Sequence, residues 1–149
     1  MIGLIHRLKD GQLNHARLLG RLLAEHLEER IETPPAMILP VPAHRARLRE
    51  RGFNPTVEIG RELSRRLDIP MRVDRLRKPR AIPHQSALSR EQRLRNPRGA
   101  FAVNGRFDGE SVALLDDVVT TGATVRELTR LLMRHGARRV DVWALARTP

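Results

Sequence analysis

The stretch Val112-Ala113-Leu114-Leu115-Asp116-Asp117-Val118-Val119-Thr120-Thr121-Gly122-Ala123-Thr124 decides how the chain is read. Its four leading apolar residues predict a buried strand, Val112 to Leu115, ending in two acids. A Thr/Gly turn follows, then an amphipathic helix whose apolar face is Val125, Leu128 and Leu132. Thr124 and Glu127 have the spacing of a capping box, and Gly136 the position of a C-cap. This order sets paired carboxylates at a strand's carboxyl end beside hydroxyls and free backbone N–H groups at a helix start. Such a set suits a phosphorylated sugar, with acids for its hydroxyls and the turn for its phosphate.

Working outward, the flanks alternate between helix and strand patterns. Asn14 to Ile31 reads as a helix: Ala16, Leu19, Leu23 and Leu27 form one stripe, Leu18 and Leu22 widen it, and Thr33-Pro34-Pro35 ends it. Met37 to Val41 predicts a short central strand, followed by a basic loop from Pro42 to Gly52. Asn54 is placed as an N-cap with Pro55 in the first helical position, and Ile59, Leu63 and Leu67 continue that helix. Met71 to Leu76 predicts a further strand. Ala100 to Val103 and Val112 to Leu115 are strands separated by the turn dipeptides Asn104-Gly105 and Asp108-Gly109, and Val140 to Ala146 closes the series with Trp143 in the core. The alternation predicts an α/β fold, a mostly parallel central sheet flanked by helices on both faces. Right-handed crossovers then bring the loops at Pro42 and Asp116 to the same sheet edge.

Composition narrows the partners. The chain has 149 residues, the size of one domain, and no apolar run near the roughly 20 residues that span a bilayer. It has no cysteine, hence no disulfide framework and no thiolate metal site, and its N-terminal apolar patch is too short for a secretory signal; a cytoplasmic location is the default. A formal net charge of +11 calls for an anionic partner. Three Phe, one Trp and no Tyr argue against a base-stacking platform for single strands. The histidines show no metal-ligand spacing, and neither a GxxxxGK[ST] loop nor a GxGxxG motif occurs.

Two basic loops could share an anion with the turn. In the first, Arg45, Arg47, Arg49 and Arg51 alternate along Pro42-Ala43-His44-Arg45-Ala46-Arg47-Leu48-Arg49-Glu50-Arg51-Gly52, bringing several guanidinium groups within reach of one phosphate. The second, Arg77 to Gly99, lacks a clean period, and between Arg75 and Arg98 eight basic residues face one acid, Glu91. A loop of that length is expected to be functional or disordered.

The thirteen-residue stretch resembles the 5-phosphoribosyl-1-pyrophosphate (PRPP) signature of the type I phosphoribosyltransferases. PVPAHRARLRERGFN, HQSALSREQRLRNPRGAF and IHRLKDG together are similar to the ComF/GntX competence-associated members of that group, over nearly the whole chain. The resemblance implies that Asp116 and Asp117 face the ribose hydroxyls, while Val119, Thr120, Thr121, Gly122, Ala123 and Thr124 hold the 5-phosphate. Pro42, Ala43, His44, Arg45, Arg49 and Arg51 would take the pyrophosphate. The 77–99 segment would be a mobile loop carrying His84, Gln85, Leu88 and Asn96 of the family pattern, with Arg93 as the cation that reaches the pyrophosphate. Mg²⁺ is the implied cofactor, bound mainly through PRPP; no protein ligand is fixed, and Asp116 is the candidate. Thr120 stands where 6-oxopurine transferases carry an acid, so a carboxylate base is missing there. Family members often begin with a cysteine-rich zinc module, which this sequence lacks.

The expected division is a helical hood over residues 1–35 and a core over 36–149. The hood shows a plain amphipathic helix and no base-reading polar set. Three readings follow: a Mg²⁺-dependent phosphoribosyltransferase acting on a nitrogen acceptor, a PRPP-binding regulator without chemistry, and a nucleic-acid-binding factor for DNA uptake. A dimer is compatible with each.

Overall fold

The structure is a computed structural model and describes residues 13–43, 48–49, 52–79 and 99–147. Its elements run in chain order α1 (Leu13–Glu28), β1 (Met37–Pro40), α2 (Pro55–Leu67), β2 (Leu76–Arg77), β3 (Ala102–Val103), β4 (Ser111–Val119), α3 (Ala123–Arg134) and β5 (Arg139–Arg147). The main sheet has the order β1-β4-β5 and is parallel throughout. β2 and β3 form a separate antiparallel ribbon. Among the described residues no helix is long and apolar enough to cross a membrane.

Unbroken apolar runs in β1 and β4 are explained by burial on both faces. Side chains alternate across a strand, so Ile38, Ala113 and Leu115 join one core cluster while Met37, Leu39, Val112 and Leu114 join the other. The first cluster packs under α1 and α2 through Ala16, Leu19, Ala24, Ile59 and Leu63, with Trp143 of β5. The second packs under α3 and the ribbon through Leu128, Leu132, Leu76, Phe101 and Phe107. The stretch 1–35 therefore contributes core residues from α1. That helix approaches α2 closely at Gly20, where a Cβ would lie 2.7 Å from the Cβ of Glu62.

Several local expectations are corrected. The stripe Ala16, Leu19, Leu23 and Leu27 does face the core, but Leu18 and Leu22 are 47% and 51% exposed, because they lie round the helix from the α2 contact. No strand runs from Met71 to Leu76: Met71 makes a single parallel bridge to Ile38, after which Arg72 pairs with Asp74 and the chain bends at the surface. Strand structure at Ala100 to Val103 is confined to the last two residues, in the ribbon outside the main sheet. The Thr124–Glu127 capping box does not form. Helix α3 begins at Ala123 with Gly122 as its cap, so Thr124 already lies inside the helix, and buried Glu127 turns to Arg130 at 2.7 and 3.0 Å. Gly136, at φ 95°, follows the C-cap His135 in the left-handed region that ends helices.

Candidate functional site

Adjacent parallel pairing of β1 and β4 brings their carboxyl ends together. Pro40 is in register with Leu115, and the Val41 N–H donates to the Leu115 carbonyl at 2.8 Å. The segments at Pro42 and Asp116 therefore leave the same sheet edge, as the crossover rule requires. Asn54 ties this edge to the following helix. Its Oδ1 accepts from the Thr56 N–H at 3.1 Å, and its Nδ2 donates to the Val41 carbonyl at 3.2 Å.

β4 is longer than its four-residue apolar core. It pairs with β5 as far as Val119↔Arg147, so the acids lie within the strand and the turn projects beyond it. A shallow, open hollow sits at that projection, lined by Asp116 and residues 118–125. Val119, Thr120, Thr121, Gly122, Ala123 and Thr124 thus line one hollow, and Asp116 reaches it from the strand. Asp117 is half-buried and does not line it. Alternation along the strand separates the two neighbouring carboxylates.

The acid pair is locally braced, with no cation against it among the described residues. Asp116 Oδ1 accepts from the Asp117 N–H at 2.9 Å, and Asp117 Oδ1 accepts from the Val118 N–H at 2.7 Å. No described Lys or Arg is within ion-pair distance of either, although basic residues outnumber acids 28 to 17. Burial first, and the charge of Asp117 second, push the Asp116 carboxyl up to about 7.

The turn is correspondingly rich in unused donors. Gly122 is left-handed at φ 73°, a conformation a side chain would strain, and gives no side-chain cap to α3. Thr121 Oγ1 accepts from the Ala123 N–H at 3.3 Å, and Arg126 N–H donates to the Gly122 carbonyl at 2.9 Å. Among the described residues, the N–H groups of Thr121, Gly122, Thr124 and Val125 have no acceptor. A helix start leaves such groups pointing outward with a partial positive charge, suited to phosphate oxygens.

Of the expected pyrophosphate residues, Pro42 and Ala43 are half-buried at the edge beside Leu115, and Arg49 is exposed in a helical turn at residues 48–49. Neither Pro42, Ala43 nor Arg49 lines the hollow. His44, Arg45, Arg47, Arg51, His84 and Arg93 lie outside the described residues. Sequence reading passed over Arg126. Its Nη1 lies 3.2 Å from where a Cβ of Gly122 would be, so the guanidinium flanks the turn. A cation in the first turn of a helix with no acid there was the available signal.

A parallel sheet, an acid-ended central strand and an uncapped turn at its switch edge point to one fold family, and the phosphoribosyl transferase domain model matches residues 54–149. The chain belongs to the phosphoribosyl transferase domain family. It is also homologous to the ComF/YhgH proteins. The DNA utilization protein YhgH of Escherichia coli O157:H7 is 39% identical over 150 residues, covering 97% of this chain and 66% of the relative. Competence protein F of Haemophilus influenzae is 36% identical over 152 residues, with the same 97% and 66% coverage. The chain therefore spans 66% of the length of these curated relatives. Among solved structures, the glutamine PRPP amidotransferase from Bacillus subtilis, complexed with ADP and GMP, is similar at TM-score 0.60 and 20% identity. That match covers 87% of this chain and 26% of the amidotransferase, and at this identity it shows the type I phosphoribosyltransferase-like fold alone.

Proposed function

We propose that this phosphoribosyl transferase domain binds PRPP with Mg²⁺ in the hollow at the end of β4 and transfers its phosphoribosyl group to a nitrogen acceptor, releasing pyrophosphate. The observation that carries the reading is the combination, in one hollow, of a half-buried carboxylate and a turn of N–H donors, neither with a partner of opposite character among the described residues beyond the local bracing. In this reading Asp116 and Asp117 receive the ribose hydroxyls, and Val119 to Thr124 hold the 5-phosphate. Pro42, Ala43, His44, Arg45, Arg49 and Arg51 neutralise the pyrophosphate, joined by Arg93. Residues 1–35 form the acceptor side and 36–149 the core; the expected 77–99 loop lies largely outside the described residues.

Mg²⁺ suits the donors present. It binds through one or two carboxylates plus ligand phosphates and water rather than through an all-protein cage. Among the described residues no group of three or more His, Cys, Asp or Glu could hold a metal alone, whereas Asp116 offers hard oxygen to an ion held mainly by PRPP. When bound, the ion supplies charge neutralisation at the departing pyrophosphate. The chain's own contribution is to fix the ribose by its hydroxyls and seat the 5-phosphate on the turn. The guanidinium groups stabilise charge gathering on the leaving group. The cysteine-free composition fits a cytoplasmic setting.

A second reading has its own support. The names of the relatives, a DNA utilization protein and a competence protein, together with the +11 charge, favour a non-catalytic PRPP-binding or DNA-binding factor more directly than they favour transfer. A salt-steep affinity for DNA that depends on Arg45, Arg47, Arg49 and Arg51, without pyrophosphate release, would select it. Calorimetry with PRPP and Mg²⁺ tests what the transferase and PRPP-factor readings share. The pair Asp116→Asn and Asp117→Asn is expected to abolish binding with the fold intact by circular dichroism. Unchanged affinity would remove the hollow as the PRPP site.

A further inference from the structure

Helix α3 opens with an electrostatic arrangement that its own stability does not explain. A helix's first turn favours acids and disfavours cations, because the macrodipole is positive there. The first turn of α3 holds no acid, has no side-chain cap, and carries Arg126. Four residues on, Arg130 is held by Glu127 at 2.7 Å, so its charge is matched. Arg126 is exposed, and its guanidinium makes no hydrogen bond or ion pair among the described residues. Its guanidinium lies against Gly122, with Nη1 at 3.2 Å and Cζ at 3.9 Å from the position of a Cβ there, and Val119 Cγ1 is 3.9 Å from that same point. Both Val119 and Gly122 line the hollow; Arg126 does not line it, but its guanidinium lies against Gly122, which does. Gly122 therefore does two things: it takes the positive φ, and it leaves space for a cation beside the unused N–H groups.

We propose that Arg126 is a specificity-determining residue of this hollow, which folds over the Thr120–Thr124 turn and pairs with the doubly charged phosphate monoester of a sugar 5-phosphate. The inference rests on the reading of the hollow as a PRPP site and deepens it. The turn's N–H groups hydrogen-bond any suitably placed oxygen; the guanidinium adds preference for full negative charge, through two donors in fork geometry. The ligand class so selected is a pentose 5-phosphate, free or as PRPP, over the unphosphorylated sugar. An anion seated there would also complete the helix start that the sequence leaves without an acid.

Calorimetry on the full chain with Mg²⁺ tests this, using ribose 5-phosphate, PRPP and inorganic pyrophosphate against the wild type, Arg126→Gln and Arg126→Lys. Arg126→Gln is expected to weaken ribose 5-phosphate and PRPP by a similar factor, roughly ten- to a hundredfold, as loss of a charge-assisted contact predicts. Pyrophosphate affinity should stay within twofold, and Arg126→Lys should fall between wild type and Arg126→Gln. The ligand-free melting temperature of Arg126→Gln should hold or rise, since a cation opposing the macrodipole is removed. Wild-type affinity for both sugar phosphates in Arg126→Gln would overturn the role of Arg126 and leave the hollow standing. A parallel loss of pyrophosphate binding, or a lowered melting temperature, would make Arg126 a structural prop and overturn it too. A wild type that binds neither ribose 5-phosphate nor PRPP would overturn the PRPP reading itself, and this inference with it.

Discussion

Helices α2 and α3 follow neighbouring parallel strands, β1 and β4, at the same sheet edge, yet their first turns are built on opposite plans. The start of α2 satisfies itself: the Asn54 side chain caps the Thr56 N–H, Pro55 removes a donor, and Glu58 answers the macrodipole. At α3 a left-handed glycine takes the cap position, no acid stands in the first turn, and four N–H groups between residues 121 and 125 have no acceptor among the described residues. One start is finished by the chain. The other is left open, at the place where the proposed ligand would sit. The contrast sets a self-capped helix terminus beside an uncapped one, within one sheet edge and one sequence.

The comparison breaks most visibly at Gly122. Gly122→Ala forces a side chain into φ 73° and against Arg126, so PRPP affinity by calorimetry should fall at least about tenfold, while thermal unfolding should show a cost of about 1 kcal/mol. Retained affinity would mean that the turn does not approach the phosphate closely.

Asp116 sharpens the contrast through pH. Its carboxyl titrates near 7 in the folded chain and near the ordinary aspartate value of about 3.9 when unfolded. Between those values the folded state holds a proton that the unfolded state has lost. Stability therefore falls as pH rises from about 4 to 7 and levels off above. Asp116→Asn should remove that slope and raise stability at pH 8 by on the order of 1–3 kcal/mol, while PRPP binding is lost. Denaturant titrations of both proteins at pH 5 and pH 8 would show it; a variant less stable at pH 8 would contradict the burial argument. Because a cation or hydroxyl donors favour the ionised form, PRPP binding at pH 6.5 should release up to about three-quarters of a proton from this group. Calorimetry in buffers of different ionisation enthalpy counts it.

The smallest effect belongs to the closed helix start. Asn54→Ala should cost about 1 kcal/mol of stability, the usual value of an N-cap, and leave ribose 5-phosphate affinity within about twofold. A larger loss of affinity would show that the Val41 contact of Asn54 also positions the ligand edge.

Much of this was legible locally. The Asn54-Pro55 start, the Met37 strand, the left-handed Gly136 and the strand–acid–turn–helix order all rest on preferences of a few adjacent residues. The misreadings share a different cause. Leu18 and Leu22 look like core in any helical projection, and only the position of α2 turns them outward. Val73 sits in a strand-like run, but Arg72 and Asp74 pair with each other at the surface and the chain bends. Thr124 and Glu127 have capping spacing, but the helix is capped at Gly122, two residues too early for it.

By itself, the sequence determined the chemistry of each segment: which residues are apolar on both sides of a strand, where a turn must form, and which acids and donors lie next to one another. Those are short-range properties, set by periodicity and backbone preference. Tertiary structure decided what that chemistry is worth. Packing β4 between β1 and β5, with helices over both faces, took Asp116 far enough from water to raise its proton affinity and left the turn at the open edge, its N–H groups without acceptors among the described residues. Desolvation and the approach of distant elements depend on the whole fold, and no stretch of thirteen residues carries them.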